Sequence, residues 1–90
     1  MPVHTLIELR NISAALLGVL REAYGAAQSG EVGERLREML RYAHDLVDLA
    51  NERLAADPQA GEHARGLAFH MAEQLAAVEG LLAPFARQAT

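Results

Sequence analysis

The sequence contains no cysteine, no lysine and no tryptophan, and each absence removes a class of chemistry. Without cysteine the chain can form no disulfide, no thiolate zinc site and no cysteine nucleophile. Without lysine it has no phosphate-loop lysine, no Schiff base and no lysine general base. Its two serines, Ser13 and Ser29, stand outside any Gly-x-Ser-x-Gly nucleophile motif. We therefore expect a protein that is not an enzyme and that carries no cofactor.

Aromatic residues and positive charge are also scarce. Two tyrosines and two phenylalanines are the whole aromatic content, while 51% of the residues are apolar, so we expect a core of Leu, Ala, Val and Met, a composition typical of packed helices. The net charge of −4 argues against a nucleic-acid partner, since phosphate binding requires a concentrated basic face. No apolar run approaches the ~20 residues of a membrane span, so we predict a cytoplasmic protein with no membrane partner.

The clearest helical pattern begins at Glu34, where apolar residues recur every three or four positions along one face. That face consists of Leu36, Met39, Leu40, Ala43, Leu46, Val47, Ala50 and Leu54. Similar patterns precede and follow it, and the predicted helices lie at about 5–28, 32–56 and 58–83, with a short tail at 84–90. Because a chain of 90 residues has room for one core, we predict a single all-α domain, 1–90, folded as a three-helix antiparallel bundle.

Local signals set the predicted helix boundaries. Thr5 and Glu8 have the spacing of a capping box at the start of the first helix. Asp57 and Pro58 have the order of an N-cap residue followed by proline at the first helical position of the third helix. Pro84 lacks the amide hydrogen that an interior helical position uses, so we expect it to kink or end that helix.

Histidine and carboxylate side chains form the one candidate metal site. If the second and third helices run antiparallel on either side of a turn at Asp57, His44 and His70 lie at the same height, because both are equally far from Asp57 in the sequence. Asp48 lies one turn from His44, and Glu73 follows His70 by three residues, so these four side chains could hold zinc or another divalent ion. The alternative is that both histidines are boundary residues with satisfied hydrogen bonds.

The helices carry more apolar surface than a single three-helix core can easily hide. Ile12 and Val19 extend the apolar arc of the first helix to one side. Tyr42 and Leu49 lie well away from the core face of the second helix, and Phe69 lies on the charged side of the third. Small residues at four-residue steps would let another helix approach closely, and they are Ala64, Ala68, Ala72 and Ala76.

These surplus apolar faces favour an interaction or regulatory protein that forms a homodimeric helical bundle and offers a groove to a protein partner. The predicted interaction residues are Ile12, Val19, Tyr42, Leu49, Phe69, Ala72 and Ala76. A second hypothesis is a helical bundle that binds a small ligand or a divalent metal through His44, Asp48, His70 and Glu73. A third is catalysis at a dimer interface by residues that are unremarkable singly.

Overall fold

A computed structural model describes residues 3–30 and 32–87 and shows three α-helices packed against one another. They are α1 (Val3–Gln28), α2 (Glu34–Ala55) and α3 (Glu62–Arg87). The described residues contain no β-strand. The prediction of an all-α, three-helix bundle is therefore confirmed. The last three residues of the predicted tail, 88–90, lie outside the described residues.

The short connections make neighbouring helices antiparallel, and contacts at both ends of the bundle agree with this direction. At one end the last turns of α1 and α3 meet the first turn of α2, because Ala27, Leu36 and Leu82 share one buried cluster. At the other end the Arg53 guanidinium near the end of α2 lies 3.7 Å from the Glu8 carboxylate near the start of α1. The result is a rod with extents of 44 × 16 × 16 Å.

The core runs along the axis of this rod in two clusters. Its large, fully buried side chains are Leu9, Leu16, Leu36, Met71 and Leu82. Full burial of a side chain of this size contributes about 1.5–3 kcal/mol relative to exposure. Other buried leucine and isoleucine side chains, and the small residues Ala23, Ala43, Ala50, Ala60 and Ala64, fill the rest of the core. The apolar periodicity of the sequence is thus used mainly to build a narrow, alanine-rich core.

Glycines with positive φ form the connection between α1 and α2. After Gln28, the Ser29 amide donates to the Gly25 carbonyl, and Gly30 has φ 87°, a left-handed value that costs glycine little. Gly33, with φ 96°, precedes α2, and no side chain caps that helix. These two glycines therefore mark the chain reversal.

Two predicted helix starts are wrong, for local reasons. Helix α1 already includes Val3, so Thr5 is a buried residue within the helix and not a capping residue, which requires a non-helical backbone. The Asp57 carboxylate accepts a hydrogen bond from the Gln59 amide at 3.0 Å, and this bond forms a side-chain turn. The Ala60 amide donates to the Asp57 carbonyl in the same turn. Helix α3 consequently begins at Glu62, four residues after Pro58.

The third helix also continues past Pro84, where we expected it to kink or end. Leu82 is fully buried and Phe85 packs against the same cluster, so side-chain packing continues beyond Pro84. Proline at position 84 removes one intrahelical hydrogen bond, that to the Gly80 carbonyl. Gly80 and Pro84 are both exposed, so water can reach this carbonyl.

Candidate interaction surface

The structure does not bring the predicted metal ligands together. Nε2 of His44 contacts Oε1 of Glu79, nine residues beyond His70 along α3. The connection between α2 and α3 spans residues 56–61 and is centred beyond Asp57, so the residues of α3 that face His44 lie further along that helix than His70. Nine residues correspond to roughly 14 Å along a helix.

Among the residues that the structure describes, no three His, Asp or Glu side chains lie where they could share a metal ion. His70 lies instead beside His63 and Glu62 in an open hollow along α3. The contact between His44 and Glu79 is largely in water, and exposed pairs of this kind contribute about 0–1 kcal/mol. Within the described residues, His44 and His70 therefore lie apart, each with neighbours other than those we predicted.

Ile12 and Leu49, two of the seven predicted interaction residues, are wholly or partly covered by the bundle itself. Ile12 is only 9% exposed and contributes to the main core cluster. Leu49 is partly buried and packs against that cluster, beside Ile12 in the α1/α2 groove. The arc of apolar residues on α1 is wide because α2 packs against one flank of α1 and covers the apolar side chains there. Ile12 is therefore unavailable to a partner, and Leu49 is available only in part.

The other five predicted residues are at least partly open to solvent. Tyr42 is 54% exposed and Phe69 is 67% exposed, while Val19 is half-buried between α1 and α2. Ala72 and Ala76 are exposed. The two earlier members of the alanine series are buried because a step of four residues advances about 40° around a helix. The series therefore turns from the core to the surface instead of forming one ridge.

The most apolar groove lies between α1 and α3, on a side of the bundle where we predicted no interaction residue. It is shallow, about 270 Å³ in volume, and its lining residues are Leu17, Leu20, Arg21, Gln74, Ala77 and Val78. Leu81, which is 65% exposed, follows Ala77 by one helical turn and so extends the same flank of α3. Tyr24 extends the flank of α1 one turn beyond Leu20 and is 47% exposed.

A buried polar atom lies in the wall of this groove. Oε1 of Gln74 is inaccessible to water and has no hydrogen-bond partner among the described residues. Leaving a buried acceptor unpaired costs roughly 1–3 kcal/mol. Arg21 lines the same groove and is exposed to solvent, and within the described part of the chain its guanidinium makes no hydrogen bond or ion pair. Among the described residues, the groove thus combines apolar side chains with one buried, unpaired oxygen in its wall and one exposed guanidinium.

The grooves between α1 and α2 have a different character. The larger one, about 390 Å³, is flanked by Glu22, Arg35 and Glu38, and so carries both signs of charge. Such a surface is well solvated and gains little from being covered. The α1/α3 groove is therefore the best candidate for a contact with another molecule.

Together, the fold and this groove define a small three-helix bundle with one partly open side between its first and third helices. Comparison with protein-family models, with curated proteins and with solved structures finds no match. Within the described residues, none of the helices has an apolar stretch long enough to cross a membrane.

Proposed function

We propose that the protein is a non-enzymatic interaction or regulatory protein that self-associates through the α1/α3 groove and binds a protein partner. The observation that carries this proposal is the line of apolar side chains along that groove, from the half-buried Leu17 and Val78 to the exposed Leu81. Removal of apolar surface from water contributes about 25 cal/mol per Å², so covering this line would favour association.

The face of α3 that carries Phe69, Ala72 and Ala76 supports the second half of the proposal. Phe69 lies nine residues from Val78, which places the two side chains on opposite sides of α3. A molecule that covers the α1/α3 groove would therefore leave Phe69 free. This residue is large, aromatic and 67% exposed, and such side chains are typical anchors of protein–protein contacts.

The test is the solution mass, measured by light scattering on a size-exclusion column across a dilution series. We expect the parent protein to be a dimer, Leu17→Lys to shift it to monomer, and Phe69→Lys to leave it unchanged. Both substitutions place a lysine at an apolar surface position, but only Leu17 lines the groove. Phe69 is the stricter control because it exposes more apolar surface than a half-buried leucine.

Circular dichroism would confirm that both variants keep the helicity of the parent. A dimer that survives Leu17→Lys but dissociates with Phe69→Lys would place the self-association surface on the other side of α3. A parent protein that is monomeric at every concentration would contradict the proposed self-association.

A further inference from the structure

We draw no further inference here: the strongest candidate, the apolar groove between α1 and α3 with the exposed guanidinium of Arg21 at its rim, belongs to the surface already described, and nothing among the described residues shows what covers it.

Discussion

Leu16 and Leu17 are neighbours in sequence with different environments, and their replacement by alanine tests the core and the groove together. Leu16 is fully buried in the main core cluster, whereas Leu17 lines the α1/α3 groove and is partly exposed. Both changes remove the same atoms from the same helix, so their effects on helix propensity are nearly equal. The difference between the two variants therefore measures the environment of each side chain.

The expected cost of Leu16→Ala is about 3 kcal/mol, within the range of 2–5 kcal/mol for leucine in a closely packed core. A domain of 90 residues has a total stability of about 5–13 kcal/mol, so this single change removes a large fraction of it. In a domain of this size the melting temperature should fall by roughly 12–24 °C. For Leu17→Ala we expect less than about 1 kcal/mol when the protein is dilute, because water already contacts this side chain.

The assay is urea denaturation followed by circular dichroism at low and at high protein concentration. The cost of Leu17→Ala should grow with concentration if a dimer covers the groove, since association stabilises the folded state by mass action. The cost of Leu16→Ala should be large at both concentrations. Equal costs for the two variants in dilute solution would refute the assignment of Leu16 to the core and of Leu17 to the surface.

Two further predictions concern the glycines and the histidines. Gly80→Ala should stabilise the protein by about 0.5–1 kcal/mol, because a methyl group at this helical position meets no atom within 4 Å. Gly30→Ala should destabilise it by about 1–2 kcal/mol, because φ at Gly30 is 87°, a left-handed value that alanine adopts only with strain. Urea denaturation measures both, and a loss of stability in Gly80→Ala would contradict the open space at that position. Zinc should leave the melting temperature unchanged, since no three His, Asp or Glu side chains of residues 3–30 and 32–87 lie where they could share a metal ion; a zinc-dependent rise that His44→Ala abolishes would show this to be wrong.

Much of the fold could be predicted because helical periodicity is a local property of the sequence. Leu36, Ala43, Leu46 and Ala50 were all assigned to the core face of the central helix, and all are buried. Boundaries were less predictable where a side chain has two possible hydrogen-bond partners. Asp57 could cap either a helix or a turn, and its bond to the Gln59 amide decides for the turn. That local choice delayed the start of α3 to Glu62, so the connection is centred beyond Asp57 and His44 contacts Glu79 instead of His70.

The groove was harder to predict because a wide apolar arc does not reveal which of its edges is covered. The first helix has apolar residues on both flanks, and Ile12 and Leu17 are equivalent in periodicity alone. Only the packing of α2 against one flank distinguishes them, by burying Ile12 and leaving Leu17 in the groove. The unpaired oxygen of Gln74 is likewise a property of the assembled bundle and has no sequence signal.

Because of Pro84, the local stability of the last turn of α3 differs from that of the rest of the helix. Helix cooperativity depends on an unbroken series of hydrogen bonds, and Pro84 interrupts that series at the Gly80 carbonyl. In this final turn, Pro84 to Arg87, Phe85 packs on the buried cluster that contains Leu82. We expect this turn to open in local fluctuations that leave the central part of α3 folded, so that amide exchange there reports on Phe85 rather than on global unfolding.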